Sequence, residues 1–254
     1  MLRKRVIPCL LLKGKGLVKT VKFKDEKYVG DPINAVKIFN DKEVDELVFL
    51  DITATNEKRP PDFKMLSEIS SECFMPLGYG GGITKLQEIE KIFQIGIEKV
   101  ILNTSSFLNP SLLKDAARVF GNQSIIASVD VKKNWFGKYN VFTNSGKNNT
   151  GVDPVDYAKK MEGLGVGEII LNSIDRDGTF SGYDLPLIKK VTSSVNIPVV
   201  ALGGAASLDD FSMAIMDGGA SAVSAGSLFV FQLPHRAVLI TYPSQEELDR
   251  AINF

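Results

Sequence analysis

Histidine is almost missing from this chain. His235 is the single one among 254 residues, and it sits in Leu233-Pro234-His235 with no motif around it. It reads as a surface or structural residue. Cysteine is scarce too: Cys9 and Cys73 fit neither a disulfide framework nor a metal-binding pattern. No metal site and no organic cofactor site is recognisable. Net charge is absent, since 30 Lys and Arg balance 30 Asp and Glu. Bulk electrostatics therefore favour neither nucleic acid nor an anionic membrane surface. No apolar run approaches the roughly 18 residues of a membrane span. The N-terminus, Met1-Leu2-Arg3-Lys4-Arg5, is basic, but the apolar run after it contains Pro8 and stops at Lys13. Without a small-residue cleavage site, that run fits a strand better than a signal peptide. A cytoplasmic protein is expected. Neither a linker nor a low-complexity stretch divides the chain, so a single domain over residues 1–254 is expected.

What is present is alternation. Short apolar, β-branched runs at 6–12, 47–52, 75–77, 100–102, 124–131, 169–171, 197–202 and 220–225 alternate with amphipathic segments. Asp31-Pro32, Thr84, Asn109-Pro110, Asp153-Pro154 and Ser207 read as helix starts, where a capping side chain or a proline favours the first turn. Near-continuous apolar strands separated by helices mean a parallel sheet covered by helices. Eight such units, in a length near the ~250 residues of that architecture, predict a closed α/β (β/α)8 TIM barrel. Residues 132–144, with aromatics around Gly137, predict a β-hairpin excursion after strand five.

The chain also resembles itself, with half-barrels of about 1–121 and 122–254. Strand one, Val6-Ile7-Pro8-Cys9-Leu10-Leu11-Leu12-Lys13, matches strand five, Ile125-Ile126-Ala127-Ser128-Val129-Asp130-Val131-Lys132. Pro76 to Gly82 match Pro198 to Gly204, and Asn103-Thr104-Ser105-Ser106-Phe107 match Ala225-Gly226-Ser227-Leu228-Phe229. Each half thus places glycines (Gly80-Gly81-Gly82 and Gly203-Gly204) at a strand's C-terminal end, before a helix. Backbone N–H groups there can close on phosphate oxygens. Asn103, Thr104, Gly226 and Ser227 supply further donors. The plain alternative is that these glycines only make tight turns; their occurrence twice favours phosphate binding and an elongated bisphosphate ligand. Lys13, Lys15, Lys19, Lys22 and Lys24 follow strand one. That loop either closes over such a ligand or is simply a solvated basic segment.

Acids at strand ends are the remaining candidates: Asp130, Asp51, Asp175 and Asp177. A carboxylate at the C-terminal end of a barrel strand reads as catalytic, and acid–base work usually takes two groups. The stretches Glu46-Leu47-Val48-Phe49-Leu50-Asp51-Ile52-Thr53-Ala54, Val141-Phe142-Thr143-Asn144-Ser145-Gly146, Ser173-Ile174-Asp175-Arg176-Asp177-Gly178-Thr179 and Gly182-Tyr183-Asp184 resemble the imidazole glycerol phosphate synthase cyclase subunit family. The resemblance runs from Arg5 to about Phe231. It implies a barrel that takes ammonia from a separate glutaminase and adds it to a ribulosyl bisphosphate. Cleavage and cyclisation then follow, which is carbon–nitrogen lyase chemistry. It further implies an acid–base role for Asp130, contact of Lys19 with substrate, and phosphate roles for Gly82, Asn103 and Thr104 on one side. Gly178, Gly204 and Ser227 carry that role on the other. The chain departs from the family pattern at Leu11, where those cyclases carry a second acid. Its ending after Phe231 is also unlike theirs.

Arg5, Glu46, Lys99 and Glu168 each stand directly before an apolar strand. Taken alone they are ion pairs closing the barrel bottom; the resemblance makes them the gate where ammonia enters from the docked glutaminase. The expectation is a paralogue that channels ammonia to a third protein, a sugar amidotransferase of surface polysaccharide synthesis. The rivals are an active cyclase of histidine biosynthesis and a catalytically silent scaffold that binds a phosphorylated ligand.

Overall fold

The computed structural model describes residues 4–252; Met1, Leu2 and Arg3 of the basic N-terminal stretch lie outside the described residues, as do Asn253 and Phe254. The barrel strands are β1 (Arg5–Lys13), β2 (Leu47–Asp51), β3 (Leu77–Gly80), β4 (Lys99–Leu102), β5 (Ile125–Lys133), β6 (Glu168–Ser173), β7 (Val199–Leu202) and β8 (Ala222–Ala225). Each pairs in parallel with the next, and β8 closes on β1 through Arg5↔Ala222 to Pro8↔Ala225. The chain is an α/β protein with a closed eight-stranded (β/α)8 barrel.

Most of the outer helices start where side chains cap them, although Asn109 makes no capping bond before Pro110. Asp31 accepts from Asn34 N at 2.9 Å before α1 (Pro32–Asp41). Asp62 accepts from Met65 N at 3.1 Å before α2 (Phe63–Ser71). At α3 (Leu86–Gln94) the Glu88 carboxylate accepts from Thr84 N at 2.7 Å and Lys85 N at 3.0 Å, so the acid, not Thr84, satisfies the open first turn. A short α4 (Thr104–Leu108) precedes α5 (Pro110–Phe120). Asp153 caps α6 (Pro154–Gly163), Asp184 caps α7 (Leu185–Thr192), and Asp210 reaches back to Ser207 N at 3.0 Å at α8 (Leu208–Met216). After β8 come α9 (Ser227–Val230) and α10 (Gln245–Ile252), which packs beside α8.

Two apolar cores result. The larger lies between the sheet and the helices. The smaller fills the lumen with Ile7, Val48, Ile101, Ile126, Ile170, Val200, Leu202 and Ala222. Burying each large aliphatic side chain contributes about 1.5–3 kcal/mol, so this plug is a structural layer of the barrel.

Two details differ from the sequence reading. β3 runs from Leu77 to Gly80, further along than residues 75–77. Glycine is poor in strands, but a Cβ at Gly80 would lie 2.8 Å from Ile101 O and 2.9 Å from Leu50 Cδ2. Tight packing, not propensity, sets that strand. The basic segment after β1 is not an open loop but an antiparallel hairpin of Gly16–Val21 and Lys24–Gly30. As expected from residues 132–144, β5 continues into an antiparallel strand, Tyr139–Thr143.

Candidate functional site

The C-terminal ends of the strands surround a cavity of about 1060 Å³, lined among others by Cys9, Leu11, Lys19, Leu50, Asn103, Ser128, Asp130, Asn172 and Asp177. The parallel pairing of β5 with β6 sets Asp130 beside Asn172, and the pairing of β1 with β2 sets Leu11 beside Leu50. One half of the mouth is therefore a polar couple and the matching half an apolar one.

Asp130 is 8% exposed. Asn103 Nδ2 donates to its Oδ2 at 3.3 Å and Ser128 Oγ to its Oδ1 at 3.4 Å. Burial pushes this carboxyl up to about 7, with the charge of Asp177 adding to the rise and the hydrogen bonds from Ser128 and Asn172 opposing it. A group near 7 can both give and accept a proton at neutral pH. Asp177 is also buried, and burial raises it while the charges of Lys19 and Arg236 pull it down. Thr20 Oγ1 lies 3.5 Å from its Oδ2.

The other acids have different surroundings. Asp51 is 5% exposed, pairs with Arg59 Nη2 at 2.8 Å and accepts from Thr53 N and Ala54 N, both at 3.1 Å. It organises the loop above β2, although its side chain reaches the cavity wall. Asp175 accepts from Lys133 N at 2.8 Å and is not among the cavity residues; it ties the β6 turn to the β5 hairpin.

Gly82 and Gly204 sit at matching places after β3 and β7, with φ of +71° and +111°. A Cβ at Gly82 would meet Arg59 O at 2.6 Å, and one at Gly204 would meet Gly182 O at 2.2 Å. Both positions therefore require glycine for backbone approach alone, and both bring main-chain N–H groups to the rim. Asn103 (φ −114°, ψ −79°) and Gly226 (φ −114°, ψ −66°) share one conformation, each leading into a short helix, so the structure matches Asn103 to Gly226 and Thr104 to Ser227, one residue on from the pairing read in the sequence. The two cradles differ in size. Gly81, Gly82, Asn103 and Thr104 border the large cavity, whereas Gly178, Gly203, Gly204, Gly226 and Ser227 enclose a niche of about 10 Å³ with room for a single water. Lys19, 3% exposed, sends its Nζ to within 2.1 Å of where a Gly226 Cβ would stand. Ser227 Oγ is buried with no hydrogen-bond partner. Thr104 Oγ1 accepts from Asn144 N at 2.9 Å.

At the opposite face Arg5, Glu46, Lys99 and Glu168 form a closed ring. Arg5 pairs with Glu46 and Glu168, and Lys99 Nζ lies 2.7 Å from Glu46 and 3.2 Å from Glu168. Side-chain exposures of 3% and 6% for the two glutamates make these pairs obligatory, because unpaired buried charge is costly. Burial works against the Arg5 charge, yet Glu168 and Glu46 outweigh it and raise the Arg5 pKa.

Residues 5–233 match the histidine biosynthesis protein family. A Pseudomonas aeruginosa protein provisionally named imidazole glycerol phosphate synthase subunit hisF2 is 51% identical over 98% of this chain and 99% of its own length. A similarly named hisF3 of Vibrio vulnificus is 48% identical over 99% of this chain and 97% of its own length. The imidazole glycerol phosphate synthase subunit HisF of Alkaliphilus metalliredigens is 45% identical over 90% of this chain and 91% of its own length. The chain belongs to the HisF family.

Within this HisF-family mouth, several cavity residues carried no signal in the sequence. Cys9 matches Ser128 in the half-barrel repeat and lines the cavity; burial pushes its thiol up to about 12, with Lys19 opposing. Asn172 is marked only by its strand register with Asp130. Arg59, the partner of Asp51, lies in a loop whose geometry no periodicity announces. Among the described residues no group of three His, Cys, Asp or Glu is placed to hold a metal, and no helix is long and apolar enough to cross a membrane.

Proposed function

We propose that this HisF-type chain is the barrel subunit of a glutamine-dependent complex that moves ammonia and no longer cyclises efficiently. A glutaminase docks on the N-terminal face. Ammonia enters at the ring of Arg5, Glu46, Lys99 and Glu168, crosses the apolar lumen and leaves at the mouth. Only neutral ammonia suits that route, since desolvating an ammonium ion among Ile7, Val48 and Ile170 costs far more than an apolar plug returns.

The observation that carries this reading is the wall formed by Leu11 and Leu50 opposite the Asp130–Asn172 couple. A leucine transfers no proton, and a missing acid–base group costs a factor of ~10²–10⁴. The ammonia then goes to a third protein, a sugar amidotransferase of surface polysaccharide synthesis. The mouth keeps a bisphosphate site, with Lys19, Gly82, Asn103 and Thr104 towards one end and Gly178, Gly203, Gly204, Gly226 and Ser227 towards the other. Location in the cytoplasm follows from such a biosynthetic complex.

A second reading has its own support. Asp130 titrates near 7 beside Asp177, and the 45% identical relative bears the plain cyclase-complex name. On that reading the chain is an active cyclase of histidine biosynthesis. Mixing the purified chain with a purified glutaminase subunit of such a complex separates the readings from a silent scaffold. Ammonia delivery predicts glutamine hydrolysis stimulated at least tenfold by the barrel; unchanged hydrolysis leaves only a scaffold that binds phosphorylated ligands.

A further inference from the structure

Phe231–Gln232 pairs antiparallel with Ala237–Val238, and Arg236 occupies the turn at φ +51°. Its guanidinium is held from several sides. The carbon lies 4.9 Å from the Phe231 ring centroid and 5.7 Å from that of Phe180. Nη1 reaches Gly178 O at 3.4 Å, a long hydrogen bond. Lys27, from the hairpin that follows β1, donates to Arg236 O at 2.6 Å and stacks over Phe231 at 5.3 Å. The turn is therefore pinned by two other elements.

Gly178 belongs to the small niche. The same niche contains Ser227 Oγ, 7% exposed and unpartnered, and Lys19 stands at its Gly226 side. Burial raises the pKa of Asp177 on its wall, and the charges of Lys19 and Arg236 oppose that rise. Among the described residues no carboxylate lies within ion-pair distance of Arg236. A half-buried guanidinium stacked on two rings, weakly bonded to one carbonyl, is poised for a better acceptor.

We propose that Arg236 is a specificity-determining residue for this niche: its guanidinium closes on a phosphate monoester seated against Gly204 and Ser227, opposite Lys19. The inference rests on the bisphosphate reading of the mouth. A planar guanidinium matches two phosphate oxygens with paired N–H donors, which an ammonium cannot do. The Phe231 and Phe180 rings beside it hold the fork beforehand, so little side-chain freedom is lost on binding. The niche itself is smaller than a phosphate group, so the group sits at its rim, where it takes over the Arg236 donor now spent on Gly178 O.

The test is a titration of the full chain with inorganic phosphate, followed by amide resonances in ¹⁵N-labelled wild type, Arg236→Ala and Arg236→Lys. In wild type the amides of Gly204 and Ser227 and those of Gly82 and Thr104 shift as two separate isotherms. Arg236→Ala is expected to weaken the Gly204 and Ser227 isotherm about tenfold, a usual cost for a hydrogen bond to a charged group. The Gly82 and Thr104 isotherm stays unchanged. Arg236→Lys falls between, because it keeps the charge and loses the fork. Unaltered Gly82 and Thr104 spectra show that each variant is folded. Equal niche affinity in wild type and Arg236→Ala overturns the role of Arg236 while leaving the bisphosphate reading intact. Silence of both amide sets in wild type overturns the two together.

Discussion

Asp130 and Leu11 occupy matching positions of the two half-barrels, and their difference is one of charge. Asp130 is buried beside Ser128 and Asn103, and its folded-state pKa is raised from 3.8 to about 7. Below the unfolded value both states are protonated and the group has no effect. As pH rises from 3.8 towards 7 the unfolded chain ionises first, so stability falls; above 7 the loss is constant. Asp130→Asn should therefore match wild type near pH 4 and melt progressively higher than wild type up to pH 7, with a constant difference beyond. A difference that shrinks between pH 5 and 7 would contradict the raised pKa. Gly226 is a second sharp residue. A Cβ there would stand 2.1 Å from Lys19 Nζ and 2.8 Å from Cys9 O. Gly226→Ala should displace Lys19 and weaken phosphate binding at the niche several-fold, read by calorimetric titration. Unchanged affinity would mean that Lys19 takes no part.

At the scale of elements, the hairpins carry what the strands cannot. The excursion after β1 delivers Lys19 and Thr20 to the mouth, and the one after β5 is tied down through Asp184. That carboxylate accepts from Leu187 N at 3.3 Å as the α7 cap and from Tyr139 Oη at 2.8 Å. Asp184→Ala loses a cap and strands a tyrosine hydroxyl, a destabilisation of about 2–3 kcal/mol. Asp184→Asn should lose clearly less, both measured by urea unfolding. The barrel strands and most helix starts were legible in the sequence because apolar runs and capping residues mark them locally. The glycine pairs after β3 and β7 were legible because they recur. The hairpin after β1 was not: its strand Lys24–Gly30 is exposed from Lys24 to Tyr28 and charged from Lys24 to Lys27, and pairing with Gly16–Val21 makes it a strand. The Asp51–Arg59 pair was equally hidden, since only the folded loop brings Arg59 back over its strand. The niche also proved far smaller than a matched pair of phosphate cradles suggests, which repetition of residues does not reveal.

Over the whole molecule the barrel has a charged bottom, an apolar middle and a half-polar mouth. Charged residues beside the apolar runs announced the bottom ring; Arg5, Lys99 and Glu168 open their strands and Glu46 precedes its own, and alternation along a strand carries them inward with Ile7, Val48, Ile101 and Ile170. Arg5→Ala leaves two buried glutamates sharing Lys99 and should cost about 2–3 kcal/mol. In the reconstituted complex it should also uncouple glutamine hydrolysis from use of the ammonia; intact coupling would make the ring purely structural. The central claim is that the mouth passes ammonia on because Leu11 stands where a proton donor is needed. Turnover of the ribulosyl bisphosphate with ammonium salt, compared in wild type, Leu11→Asp and Leu11→Asp with Asp130→Asn, tests it most directly. Wild type should form product ~10²–10⁴ times more slowly than Leu11→Asp, and the double variant should lose that gain; turnover by wild type as fast as by Leu11→Asp would contradict it.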